Sequence, residues 1–261
     1  MQNHHNAARK HEPSFSGDAG LLEAFNKHFD VVHADTPELR RQAHQIRYRV
    51  YCLETGFEDA QAFPDGLEKD AFDTHSAHAL LIHRASATAM GTVRLVLPLA
   101  HAPDASFAVQ GVAGDASMRD GSAFPLGSTA EVSRFCISRT FRRRAGDTLY
   151  DQPENAGTGD AGDRRSGPLM RLGLIQALVR MSARHGITHW CAVMEPTLLR
   201  MLDAMAIRFT RVGPPIEHHG LRQPCYCRID EALEAVKKER PAFFDVLTAG
   251  VRCDTDEAVE V

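Results

Sequence analysis

TAEVSRFCISRTFRRR, residues 129–144, alternates apolar and polar positions like a strand, yet holds Glu131 and Arg134 in its middle and ends in arginines. In a regular strand, residues three apart point to opposite faces, so this acid and this base would not meet. A β-bulge between them re-aims one side chain and brings both to one cleft. Such a bulge also frees backbone N–H groups, which suit an oxyanion. The pattern therefore predicts a bulged strand. The plainer alternative is two half-exposed charges on either side of an edge strand.

The flanking segments give that strand its neighbours. AHALLIHRA (77–85) and MGTVRLVLP (90–98) read as two short strands joined by a turn near Ser86–Ala89. Arg94 interrupts the second, and a charge on a central strand needs a partner. Upstream, DTPELRRQAHQIRYRVYCLETG (35–56) reads as a helix with Thr36 as cap, Pro37 in the first turn and Gly56 at the end. Leu39, Ala43, Ile46, Val50 and Leu53 form its apolar face, and Arg47 and Tyr51 lie four apart on the flank of that face. Asp70 and Asp73 sit just ahead of a strand, where loop carboxylates can grip an amine.

Downstream, AGDTLYDQPENAGTGDAGDRRSG is polar and glycine-bearing, and residues 145–167 are expected to be a mobile insertion. A helix follows, with Pro168 near its start and Gly186 at its end, then the buried strand ITHWCAVM and the short helix EPTLLRMLDAM. FTRVGPPIEHHG begins as a strand and breaks at Pro214-Pro215. This order predicts an α/β (α+β) chain around a single sheet. Residues 1–28 would be a disordered polar tail, 29–215 the core domain, and 216–261 a helical extension packed on the core.

A chain of 261 residues can bury one sizeable core, and 43% apolar with 25% charged residues is ordinary for a soluble protein. The net charge of −4 disfavours a nucleic-acid binder, so any charged partner must meet a local patch. Six scattered cysteines without CxxC pairs read as reduced thiols and point to the cytoplasm. Cys225-Tyr226-Cys227 with His218-His219 fits no zinc spacing, so no metal is expected. No apolar run approaches the ~20 residues of a transmembrane segment, and the first residues have no signal-peptide pattern.

Arg47-x-x-x-Tyr51, Asp70-x-x-Asp73, Gly91-x-x-Arg94-Leu95 and Glu131-Val132-Ser133-Arg134-Phe135 occur in an order that resembles the acyl-homoserine-lactone (autoinducer) synthases, a branch of the GNAT-like acyltransferases. The later pieces AVMEPTLLRML, VGPPIEHHG and RQPCY look more like the long-chain N-acyl amino acid synthases, and most like the PEP-CTERM/exosortase system-associated acyltransferases. Autoinducer synthases usually carry tryptophan where Phe57 stands, which weighs against S-adenosylmethionine as acceptor. The resemblance implies a three-layer GNAT-like fold, a mixed, mostly antiparallel sheet flanked by helices. It also implies direct attack of an amine on a thioester, with no covalent enzyme intermediate.

On that basis Glu131 is the expected base, with Asp70 and Asp73 as alternatives that could instead hold the acceptor. Arg47, Arg94 and Arg134 would anchor the acceptor's carboxylate or order the loop acids, and Tyr51 and Phe57 would complete the pocket. Cys136 is a less attractive nucleophile, because no histidine is paired with it. Arg139, Arg142, Arg143, Arg144, Arg164 and Arg165 form a basic surface that would dock an acidic acyl carrier protein. The donor would be a carrier-protein or CoA thioester, with no further cofactor. The implied reaction is N-acylation of an amino acid-like amine. The rivals are a lactone synthase using S-adenosylmethionine and a non-catalytic sensor of acyl chains or carrier protein.

Overall fold

The structure, a computed structural model, describes residues 19–141 and 166–251. Its first helix, α1 (Ala19–His28), buries Leu21 and Phe25 one turn apart and leads directly into β1 (Phe29–His33). The expected tail therefore ends earlier than residue 28, because these two apolar side chains give residues 19–28 a face to bury. Helix α2 (Pro37–Arg47) starts as its sequence predicts: Thr36 accepts a hydrogen bond from the Leu39 N–H at 3.3 Å, and Pro37 occupies the first turn. The helix then widens into a π-helical turn, Tyr48–Glu54, closed by the Thr55 N–H to the Val50 carbonyl at 3.0 Å. That wider turn rotates Leu53 off the expected apolar face, leaving it 62% exposed.

Strands β2 (Ser76–His83) and β3 (Thr88–Val96) form the expected hairpin, and β1 pairs with β2. Two short helices, α3 (Ala108–Val112) and α4 (Ser117–Asp120), precede β4 (Thr129–Ile137). Helix α5 (Ser166–Arg184), β5 (His189–Met194) and α6 (Pro196–Ala204) follow, then the short β6 (Thr210–Arg211) and β7 (Ile216–Glu217). The chain closes with β8 (Leu221–Arg228), α7 (Ile229–Glu239) and α8 (Pro241–Thr248). The sheet order is β1-β2-β3-β4-β5-β8-β6, with β7 paired only to β8. The β4–β5 pair is parallel and the other pairs are antiparallel.

The part expected to be a helical extension is thus only partly helical. Strand β8 lies inside the sheet between β5 and β6, and Cys225 and Cys227 point into the main core from one face of it. Pro224 weakens the strand signal in the sequence, yet its carbonyl still accepts from the Val212 N–H at 2.9 Å. Two layers of helix cover the sheet. Helix α2 packs on Leu80 and Cys136, while α5, α1 and α8 pack on the opposite face through Leu81, Phe25 and Leu247. Helix α5 comes very close to the sheet: a Cβ on Gly173 would lie 2.6 Å from Leu81 Cδ1.

Candidate active site

The bulge expected in β4 is present. Thr92 pairs with Cys136 and Arg94 with Ser133, so Val93 faces two residues, Arg134 and Phe135, and Arg134 takes the left-handed φ of 51°. That conformation costs a non-glycine residue free energy, and it is held by the contacts of the side chain it re-aims. Glu131 and Arg134 consequently line one cavity of about 310 Å³. The alternative of two charges on opposite sides of an edge strand is excluded, since β4 is central and pairs on both sides.

At the polar end, three arginines and four acids interlock. Arg47 is fully buried; its Nε donates to Glu68, and its two Nη atoms bind the Asp73 carboxylate at 2.6 and 3.1 Å. Arg94 reaches Asp70 at 2.6 Å, Asp73 at 2.9 Å and the Ser133 hydroxyl at 2.9 Å. Arg134 binds Glu68 at 2.9 Å, Asp70 at 3.3 Å and Glu58 at 3.4 Å, with its guanidinium 5.3 Å from the Tyr51 ring centre. Asp70 also caps the short helical turn 71–75, and the Asp73 side chain returns a bond to the Asp70 N–H. Burial pushes the Glu68 carboxyl up, but the hydrogen bonds and charge of Arg47 and Arg134 outweigh it and hold the group at about 2. The same contest leaves Asp73 well below the usual carboxylate range, chiefly through Arg47.

These pairings divide the residues expected to bind substrate. Tyr51, Phe57, Asp70 and Arg94 line the cavity with Glu131 and Arg134. Arg47 and Asp73 stand behind its wall, where they order the loop acids and do not face the cavity. Of the two roles open to the arginines, the geometry supports ordering the loop acids. Asp73 is also a poor base, since a carboxylate held so acidic gives little driving force for proton transfer. His44 and His78 join Asp73 within metal-binding reach, but the Asp73 oxygens already accept from Arg47, Arg94 and a backbone N–H. A cation there would face two guanidinium groups, so the set does not fit a metal.

Glu131 differs from every other acid in the cavity. It is 5% exposed, and Oε2 accepts one hydrogen bond, 2.8 Å from the Val109 N–H. Burial raises its pKa, against the pull of that bond and of Arg94. A carboxylate of raised pKa is closer to the neutral pH at which an ammonium must lose its proton. Cys136, by contrast, is packed under α2 and pushed by burial up to about 12, which suits packing and not nucleophilic attack.

The depth of the cavity comes from the sheet itself. Strands β4 and β5 pair only from Thr129↔His189 to Glu131↔Cys191, and both then continue without pairing to each other. Between them opens an apolar trough lined by Ile175, Leu178, Trp190, Leu198, Leu202 and Phe209. Trp190 is fixed at its floor by donating to the Ser182 hydroxyl at 2.8 Å. Glu131 therefore stands where the polar mouth meets the apolar trough.

Five residues of the site escape a reading of the sequence alone, His218 and His219 having been named there only as an unfitting metal set. Glu58 and Glu68 sit in a loop without periodicity, and only the surplus of arginine on central strands signals that more acids are needed. His218 and His219 from the β7–β8 turn and Arg222 from the start of β8 line the mouth, beside Phe57. Of the proposed basic surface, Arg139 is exposed just after β4, with its backbone N–H bound to Glu54 at 2.9 Å. Arg142, Arg143, Arg144, Arg164 and Arg165, with nearly all of the expected insertion, lie outside the described residues.

The fold agrees with what the chain is similar to. Residues 46–151 match the family model described as an acetyltransferase (GNAT) domain. Among solved structures, the CoA-dependent acyl-homoserine lactone synthase BjaI with SAM and isopentyl-CoA aligns with a TM-score of 0.53 at 18% identity, over 85% of this chain and 87% of that one. TofI in a ternary complex with an inhibitor and MTA gives 0.52 at 20% identity, over 82% and 98%. FeeM, an N-acyl amino acid synthase from uncultured soil microbes, gives 0.51 at 15% identity, over 79% and 93%. No curated protein matches the chain by sequence. The fold is GNAT-like, with the expected mixed, mostly antiparallel sheet between helices.

Proposed function

We propose that this protein is an N-acyltransferase that moves a fatty acyl group from an acyl carrier protein thioester to the amine of an amino acid-like acceptor. One observation carries the reading: Glu131, a buried carboxylate of raised pKa, sits at the junction of a charged mouth and an apolar trough. The fatty chain lies in the trough and the amine enters by the mouth. Glu131 takes a proton from the ammonium, and the freed nitrogen attacks the thioester carbonyl carbon. The attack leaves the nitrogen positively charged, and as the carbon–sulfur bond breaks and the amide forms, its second proton passes to the departing sulfur, which leaves as the thiol. Arg134 and Arg94 hold the Asp70 side of the mouth in place through these steps.

The motifs after residue 190 support placing the chain in the exosortase-associated branch, working in the cytoplasm on a carrier-protein or CoA thioester without another cofactor. Among the described residues no helix is long and apolar enough to cross a membrane. Phe57 at the mouth, stacked near Arg222 and His219, favours an amino acid over S-adenosylmethionine, because tryptophan usually holds that place in the lactone synthases. The test is to incubate the purified protein with acyl-carrier protein or acyl-CoA and each acceptor, and to identify products by mass spectrometry. An N-acyl amino acid supports the reading and a lactone rejects its acceptor. Absence of any transfer, with carrier-protein binding retained, makes the protein a sensor.

A further inference from the structure

The cavity mouth is polarised, and this says which part of an acceptor goes where. On the β3–β4 side, the arginines first expected to anchor a carboxylate are committed: Arg47, Arg94 and Arg134 share Glu58, Glu68, Asp70 and Asp73, one acid more than there are arginines. That wall attracts an ammonium and repels a carboxylate. The facing wall is the turn between β7 and β8 with the start of β8. There Arg222, 14% exposed at its side chain, donates from Nε to the His218 carbonyl at 2.9 Å and from Nη2 to the His219 carbonyl at 3.2 Å. Its guanidinium lies 5.8 Å from the Phe57 ring centre, and Nη2 is 3.1 Å from Glu195. Its Nη1 makes none of these contacts. The imidazoles of His218 and His219 flank it, with ring centres 4.9 Å apart and no ring hydrogen bond among the described residues.

We infer that Arg222, flanked by His218 and His219, binds the α-carboxylate of the acceptor, so that the acceptor is a free α-amino acid whose ammonium faces Asp70 and Glu131. The inference rests on the acyl-transfer reading of this cavity. A guanidinium fixed by two backbone carbonyls and an aromatic face is preorganised for a planar anion. Glu195 occupies only one edge of it, and Arg94 in the same molecule already accommodates two carboxylates on one nitrogen. An amide or ester of the same amino acid would keep the ammonium contact and lose the anionic one.

Calorimetric binding of the free protein amino acids and their α-amides to the full chain tests this. Wild type should bind at least one free amino acid about tenfold or more tightly than its amide, R222Q should erase that preference, and R222K should restore part of it. Because Arg222 also holds the turn, E195Q gives a second measure that leaves the turn intact. Removing the competing carboxylate should tighten binding of the free acid and leave the amide unchanged. Equal binding of acid and amide by wild type, no binding by any amino acid, or a preference that survives R222Q overturns the inference. If the preference holds but no acyl thioester is consumed, the acyl-transfer reading falls and the carboxylate site stands.

Discussion

Glu131 differs from the other acids of the mouth, because it alone combines near-complete burial with a single backbone donor and, among the described residues, no arginine ion pair. Its pKa is raised, so the proton-accepting form prevails only above that value. In wild type, kcat/KM for transfer should therefore climb with pH through a value above the ordinary carboxylate range. E131Q should lose about 100-fold or more in kcat and abolish that limb, read from steady-state rates across pH. A second titration concerns stability. Burial and the Arg47 charge push His78 down to about 3, so the unfolded chain binds its proton first as pH falls. Stability should decline as pH drops below about 6.5, with His78 contributing up to about 1.4 kcal/mol per pH unit. Urea midpoints measured for wild type and H78Q between pH 6.5 and 5 should show the shallower slope in the variant. At this scale the sequence was informative wherever a charge stood on a strand, as at Arg94, Glu131 and Arg134, since only a partner makes such burial tolerable. It was silent on Glu68 and Arg222, whose burial follows from distant segments folding over them.

Two elements depart from regular geometry, and both shape the site. The bulge at Arg134–Phe135 was legible, because an acid and a base three apart on one strand meet only if the strand bends. The π-helical turn at 48–54 was not, since its apolar spacing fits an α-helix until Leu53 is rotated out. Tyr51 in that turn reaches under Arg134. The trough is formed by the parting of β4 and β5 and closed by α5 and α6, so its length should set the acyl chain accepted. L178W should shift the product spectrum toward shorter chains while short-chain transfer persists, as read by mass spectrometry of mixed-donor reactions. Close approach of α5 to the sheet predicts a different outcome for G173A. A methyl group 2.6 Å from Leu81 and 3.0 Å from Phe25 should cost about 1–3 kcal/mol, measured as a lowered denaturant midpoint.

For the molecule as a whole, the order of elements around a single sheet followed from hydrophobic periodicity and the mixed sheet from the family resemblance, whereas the boundaries followed from neither. Residues 216–228 read as the start of an appendage because two prolines and a CxC pattern obscure a strand that completes the sheet. A chain ended at residue 215 should consequently fail to fold, losing β8 together with the α8 contacts that bind the Gln176 amide of α5 to the Val246 carbonyl. Far-ultraviolet circular dichroism and size-exclusion of the truncated protein would check this. The placement of β8 also bears on how such an enzyme can change its diet. Its ladder with β5 carries Cys225 and Cys227 into the hydrophobic core, while the turn leading into it, His218–Gly220, meets Phe57 at the entrance. On the proposed reading, descendants of this chain can swap residues at the tip to court new amines without disturbing the beam that carries it. Diversity among its kin should gather in those few positions, while the strand behind them stays monotonous.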